Sequence, residues 1–371
     1  MTKSSEDVAR MTALWHIGLV LATGTLTLLS GLLLQLNLTS PDGLLFTRHS
    51  AATTLSLHGL LCALLTTLPV LILLGGAVAL PRWRGVAPRI AWLSNTTVAV
   101  HALAVVALPI GVLTSSMLSG PSAALPLTLA LLFTVLAVLL MGAQLVRGLA
   151  VVPAWRRSPL AWGVFAGALV TLVLIGPAAV ALVVALLPGQ ALDAYFGASV
   201  VWTQVEELGA PIAVGIAALG WAVELVLVHG GARRVLGVTL LVCVVTYGVV
   251  APRVPGDLHV ADSTVMVALI HLLHGAAVVL PGLALLAPRR GTRASLVRVT
   301  LTALCWLAMC AFEALLGMQG MARRYAEYDP VFTTLQQLVG LAALAFVVTA
   351  GLTLLGWWRE PRLPAVDQTF D

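Results

Sequence analysis

Two histidines lie inside long apolar stretches of the sequence, at matching positions. His58 comes a few turns into the stretch 51–80, and His271 comes a similar distance into the stretch 263–287. An ionisable side chain inside a membrane is costly, so each is a candidate functional residue. At about 1.5 Å per residue, both imidazoles are predicted roughly 10–15 Å below the same membrane surface. Two neutral imidazoles at one depth on two helices can supply both axial ligands of a low-spin haem iron.

Two adjacent arginines could complete such a site. A haem near the outer surface would place its anionic propionates among the outer loops, and Arg323 and Arg324 lie in one of those loops. A guanidinium pairs with a carboxylate through two parallel hydrogen bonds, which suits this contact. The alternative is that each histidine hydrogen-bonds a neighbouring helix and that the arginine pair is a solvated loop. The shared depth and the arginine pair together favour the haem site.

The composition indicates the kind of protein that carries these residues. Hydrophobic residues make up 60% of the 371 residues and charged residues only 9%. A soluble domain carries about 25% charged residues. The composition therefore excludes a soluble globule, a long disordered chain and a nucleic-acid-binding protein, and indicates a membrane protein.

Ten apolar runs are long enough to cross a membrane, which takes about 20 residues of helix. No linker or low-complexity tract divides them, so we predict one domain over residues 1–371, an all-α polytopic bundle of about ten transmembrane helices. The predicted spans are 13–36, 51–80, 90–118, 125–146, 160–187, 198–228, 235–252, 263–287, 296–318 and 331–357.

The basic residues predict the orientation of the bundle. With the N-terminus inside, the inner segments hold sixteen of the twenty Lys and Arg residues. The outer loops hold only Arg48, Arg253, Arg323 and Arg324. Because cytoplasmic loops carry the excess of Lys and Arg, both termini are predicted to be cytoplasmic, in a bacterial-type inner membrane.

Three stretches carry a resemblance to a known family, the haem-copper oxidase subunit I family. Residues 317–330 read G-M-Q-G-M-A-R-R-Y-A-E-Y-D-P and resemble the family's loop G-x-x-G-M-P-R-R-Y-x-D-Y-P. Residues 56–59 read S-L-H-G, followed by L-P-R at 80–82, and are similar to T-A-H-G onward to F-P-R. Residues 262–271 have the spacing of D-T-Y-x-V-V-A-H-F-H. The resemblance implies that His58 and His271 are the ligands of the low-spin haem, and that Arg323 and Arg324 bind its propionates.

The departures from the family pattern concern its oxygen-reducing site. The first His of H-F-H, which holds the oxygen-binding haem, is Leu269 here, and Glu206 occupies the position of a copper ligand. The family's His-His pair is absent from the sequence, and fewer spans are predicted here than the family has. Leucine does not ligate iron. The low-spin site is therefore kept while the haem-copper centre is lost, and no copper is expected.

The resemblance thus implies a non-catalytic membrane cytochrome subunit with one bis-histidine low-spin haem near the outer face. It would transfer electrons within a respiratory or other membrane redox complex. Gln35 stands where the family has an arginine that touches a haem formyl group, which favours haem b. The implied partners are other subunits of the complex, and quinol or a periplasmic cytochrome c or copper domain. Two alternatives stay open: a haem-free scaffold or assembly subunit, and a divergent terminal oxidase or nitric oxide reductase with a non-standard metal site.

Other polar residues also lie in predicted spans. A functional interpretation gives some of them a proton path, a quinol pocket or a replacement metal site, and the alternative pairs them with each other across helices. These residues are His101, His274, Glu206, Glu207, Glu224 and Glu313. Histidines near the span ends are predicted to be interfacial; they are His16, His49, His229 and His259.

Overall fold

The structure is a computed structural model. It describes residues 5–39, 67–85, 91–117, 121–185, 209–254, 263–288, 291–321 and 330–359. These ranges are helical almost throughout and contain no β-strand. They include nine helices that are long and apolar enough to cross a membrane. The chain is therefore an all-α polytopic membrane bundle, as the composition predicts.

We number the principal helices α1 to α10 in chain order. They are α1 (Ser5–Thr39), α2 (Thr67–Leu74, Gly75–Ala79 and Leu80–Arg84), α3 (Ala91–Met117), α4 (Pro121–Val151), α5 (Pro159–Val170, Thr171–Ile175 and Gly176–Ala185), α6 (Ala210–Val228), α7 (Gly231–Val250), α8 (Thr264–Ile270, His271–Gly275 and Ala276–Leu286), α9 (Arg293–Met318) and α10 (Thr333–Arg359). The middle segments of α2, α5 and α8 are single π-helical turns. Each helix except α2 contains one of the nine candidate spans, and residues 51–66 of the second predicted span lie outside the described residues.

The apolar runs become helices because lipid offers no partner for backbone N–H and C=O groups. Threonines inside the helices follow the same rule. The hydroxyls of Thr97, Thr134 and Thr171 each donate to the carbonyl four residues earlier, at 2.7–2.9 Å. These three hydroxyls are thereby satisfied within their own helices.

Helix α2 forms the centre of the bundle. Its side chains from Leu71 to Leu73 are fully buried, and so are Ala79 and Leu80. It contacts α1, α4, α5, α6 and α8, while α3, α7, α9 and α10 complete a ring around it. The ring closes where α10 packs against α1. A helix this uniformly apolar is stable because neighbouring helices cover all its sides.

Helices α5 and α6 cross with their backbones in contact. Gly163 and Gly220 face each other at the crossing, and a Cβ on either residue would overlap the Cα of the other. Small residues at such crossings let membrane helices approach closely, so that dispersion contacts hold them together.

Arginines gather at one end of the bundle, which we call the arginine-rich end. There Arg82 donates to the carbonyl of Leu285 at 2.6 Å, and Arg233 donates to that of Ala287 at 2.7 Å. Arg84, two residues after Arg82, joins α2 to α6. The sequence analysis assigns all three arginines to loops on one side of the membrane, and in the structure they lie at one end of the bundle.

We expect Gly220→Ala to destabilise the bundle, because the added methyl group overlaps the α5 backbone. Overpacking of this kind costs about 1–3 kcal/mol. Gly215→Ala is the matched control on the same helix, since a Cβ at Gly215 meets nothing within 4 Å. Thermal unfolding in detergent should show a lower melting temperature for Gly220→Ala alone. Equal melting temperatures for the two variants would contradict the close crossing.

Candidate functional site

The candidate site is built on the π-helical turn of α8. This turn runs from His271 to Gly275 and places His271 and His274 three residues apart. Single π turns inside α-helices occur frequently at functional sites. His271 is seven residues after Thr264, the first residue of α8, or about 10 Å along a helix. His271 therefore lies well inside α8 rather than at its end.

Glu313 on α9 holds the imidazole of His271. The Nδ1 atom of His271 lies 2.9 Å from one carboxylate oxygen of Glu313 and 2.8 Å from the other. Both side chains are largely buried, with 15% of His271 and 9% of Glu313 exposed. An ionised carboxylate only accepts hydrogen bonds, so with Glu313 in its ionised form Nδ1 would carry the hydrogen. The lone pair is then on Nε2, as in the histidine–carboxylate pairs of metal sites.

Two aromatic side chains, Trp306 and Phe346, pack beside this pair. The indole of Trp306 meets the His271 ring edge-on at 6.4 Å between centroids and the Phe346 ring at 5.1 Å. Gly275 makes room for it, because a Cβ there would lie 2.7 Å from an indole carbon. The indole N–H of Trp306 is buried and has no hydrogen-bond partner among the described residues. Most buried donors in folded proteins have a partner, so this indole N–H is available to a water or to a bound group.

A cavity opens in front of these side chains. Its volume is about 520 Å³, and its wall is formed by α1, α2, α8, α9 and α10. His271, His274, Trp306 and Glu313 line it, Arg82 lies at its arginine-rich end, and apolar or small side chains form most of the remaining wall. Sites for small molecules and cofactors have volumes of about 300–1,000 Å³ and are mostly apolar with a few polar groups. The cavity therefore has the size and chemistry of a cofactor site.

The structure describes one of the four residues of the predicted haem site. His271 lies on the cavity wall, whereas His58, Arg323 and Arg324 lie outside the described residues. Helix α2, which follows His58 in the sequence, borders the same cavity through Leu74 and Val78. The described residues thus fit one side of a haem site, with an imidazole directed by a carboxylate at an apolar cavity.

Glu224 belongs to a different cluster at the arginine-rich end. Its carboxylate is fully buried and accepts hydrogen bonds from Arg84 at 2.7 Å and from the hydroxyl of Ser158 at 2.8 Å. Glu224 is therefore paired across helices, but with Arg84 and Ser158 rather than with another of the polar residues singled out in the sequence. Glu206 and Glu207 lie outside the described residues.

His16 is paired inside the bundle, a contact that the sequence analysis did not predict. His16 is completely buried, and its Nδ1 lies 3.2 Å from Nδ1 of His101 on α3, with the two rings stacked. His229 packs against Trp83 at the arginine-rich end, with 4.6 Å between the two ring centroids. A helical pattern could have identified His16, because the polar residues Thr12, His16, Thr23 and Ser30 are spaced to share one face of α1, and all are buried.

No group of three or more His, Cys, Asp or Glu side chains in the described part of the chain could hold a metal ion. His271 and Glu313 alone would be an incomplete site for a bare ion, whereas a haem supplies its own equatorial ligands. No protein-family model matches the chain, and no curated protein matches it.

We expect Arg84→Gln to destabilise the protein, because it leaves the carboxylate of Glu224 buried without its cation. Removing one partner of a buried ion pair costs about 3–5 kcal/mol. The lower end is expected, since the Arg84 side chain is 20% exposed. Arg157→Gln, at an exposed position on the same end, is the control. Unfolding measured in detergent should separate the two variants, and equal stability would show that the ion pair contributes nothing.

Proposed function

We propose that this protein is a membrane cytochrome subunit that carries one low-spin haem, held by His58 and His271, and transfers electrons without reducing oxygen itself. It would belong to a respiratory or other membrane redox complex in a bacterial-type inner membrane. The proposal includes a haem-copper oxidase subunit I-like bundle of ten spans with both termini in the cytoplasm. The arrangement of His271, Glu313 and the cavity carries this proposal.

The local chemistry of His271 supports a role as an iron ligand. Ligating histidines almost always donate their other ring N–H to a carboxylate, a backbone carbonyl or water, which fixes the tautomer and the ring orientation. Glu313, on the neighbouring helix, is placed to accept such a hydrogen bond from Nδ1 of His271. A histidine serving only to join helices would not need a cavity of cofactor size beside it.

Each described residue of the site has a defined task in this proposal. His271 binds the iron through Nε2, Glu313 orients the imidazole, and Trp306 with the apolar wall excludes water. When bound, haem supplies a one-electron couple whose potential depends on its axial ligands and on the polarity around it. His58 would be the second axial ligand, and Arg323 and Arg324 would pair with the propionates.

The residue at the family's oxygen-binding position supports the electron-transfer role. Leu269 lies two residues before His271 on α8 and is 4% exposed. A buried leucine offers neither a ligand for a second iron nor a proton donor for oxygen chemistry. Electrons would then leave the haem for a partner rather than for oxygen.

The proposed orientation follows from the arginine-rich end. Cytoplasmic loops carry the excess of Lys and Arg, so this end would face the cytoplasm. His271, near the opposite end of α8, would then place the haem toward the outer face. Its partners would be other subunits of the complex, and quinol or a periplasmic cytochrome c or copper domain.

We expect the purified protein to contain one haem per chain, most simply haem b, with a low-spin reduced-minus-oxidised spectrum and no response to carbon monoxide. His271→Ala and His58→Ala should each abolish the low-spin spectrum. His274→Ala is the matched control, because His274 lies in the same π turn and on the same cavity. It should keep the haem.

Three outcomes would contradict the proposal. A wild-type protein without haem absorbance favours the haem-free scaffold subunit. Loss of haem from His274→Ala but not from His271→Ala would show that His274, and not His271, is the iron ligand. Oxygen or nitric oxide turnover by the isolated protein would establish the divergent oxidase instead.

A further inference from the structure

We infer that Glu313 is a positioning residue of the proposed haem site, and that its negative charge sets the electron-donor strength of His271 and lowers the reduction potential of the bound iron. The inference rests on the proposed function, and it assigns a role to a residue that the sequence analysis left open.

The first support is the geometry of the contact. Both oxygens of Glu313 lie within 2.9 Å of Nδ1 of His271, so the carboxylate faces this one nitrogen. Helices α8 and α9 carry the two residues and are tied together near the site, where the N–H of Thr264 donates to the carbonyl of Met321 at 2.9 Å. The ring is therefore held from a neighbouring helix that is also joined to the start of α8.

The second support is the contrast between the two buried carboxylates of the described residues. Glu224 has an arginine and a hydroxyl as partners. Glu313 is 7% exposed and forms no ion pair with a lysine or arginine of the described ranges; its partner is an imidazole. An ionised Glu313 would need a counter-charge here, because a buried charge without one is strongly unfavourable and the carboxyl otherwise becomes neutral. An iron held by His271 would provide positive charge on the other side of the ring, where it offsets the carboxylate.

The carboxylate would change the reduction potential of an iron bound to His271. A carboxylate at Nδ1–H increases the basicity of Nε2, which stabilises the more positive, oxidised iron. Removing the charge while keeping the shape should therefore favour reduction. Changes to such outer partners alter metal affinity or activity by 10–100-fold.

The test uses the full-length chain and two substitutions of Glu313. Glu313→Gln keeps the size and removes the charge, and Glu313→Asp keeps the charge. Redox titration followed by the haem spectrum should show a raised potential for Glu313→Gln. A tenfold change in the ratio of reduced to oxidised haem corresponds to about 59 mV for a one-electron couple. Glu313→Asp should lie closer to the wild type.

Electron paramagnetic resonance of the oxidised haem supplies a second readout, because the orientation of the axial imidazole determines the low-spin signal. We expect this signal to change in Glu313→Gln. Glu224→Gln is the control, since it removes a buried carboxylate that touches neither His271 nor the cavity. Its potential and its signal should match those of the wild type.

The outcomes separate this inference from the proposed function. A full complement of haem in Glu313→Gln with unchanged potential and signal would show that the contact only joins two helices. If Glu313→Gln loses its haem, the haem of Glu313→Asp is measured instead. A wild-type potential in Glu313→Asp supports the role of the charge. A potential raised by tens of millivolts, or the absence of haem, in Glu313→Asp overturns it. A wild-type protein without haem overturns the proposed function itself.

Discussion

The contact between His271 and Glu313 is the interaction on which the candidate site depends. It places two polar side chains inside a largely apolar bundle, where an unpaired polar group is costly. Each side chain offsets part of the cost of burying the other, and the contact joins α8 to α9 at the cavity wall. In the proposed site, the contact would also select the ring nitrogen that binds the iron. The same pair thus joins two helices and would direct the ligand, and removing either side chain would leave the other without this polar partner.

The rest of the bundle makes this contact possible. Helix α2 fills the centre, and the ring of helices around it leaves one cavity beside His271 rather than a continuous core. Gly275 lets the Trp306 indole approach the α8 backbone, which closes one side of the site. The cavity extends to Arg82 at the arginine-rich end, but neither Arg84 nor Glu224 lines it. Charged clusters such as Arg84 with Glu224 therefore stabilise the bundle without touching the cavity.

Much of the fold could be predicted from the sequence, because a membrane imposes one simple rule on composition. Runs of about 20 apolar residues must be helices, and nine such helices lie where the sequence predicts them. The position of His271 along its helix follows from counting residues. The contacts between helices were not predictable in the same way, because Glu313 and His271 lie 42 residues apart. Their meeting depends on the rotation of two helices about their axes. The contact between His16 and His101 was not predicted for the same reason. The π turn that contains His271 has no recognised sequence signal.

A map of the purified full chain by electron cryo-microscopy tests the central claim most directly. The account predicts planar density in the cavity, bonded on one face to Nε2 of His271 and on the other to His58, with the carboxylate of Glu313 at Nδ1 of His271. A map in which lipid or protein side chains fill the cavity and His271 contacts Glu313 alone would contradict it.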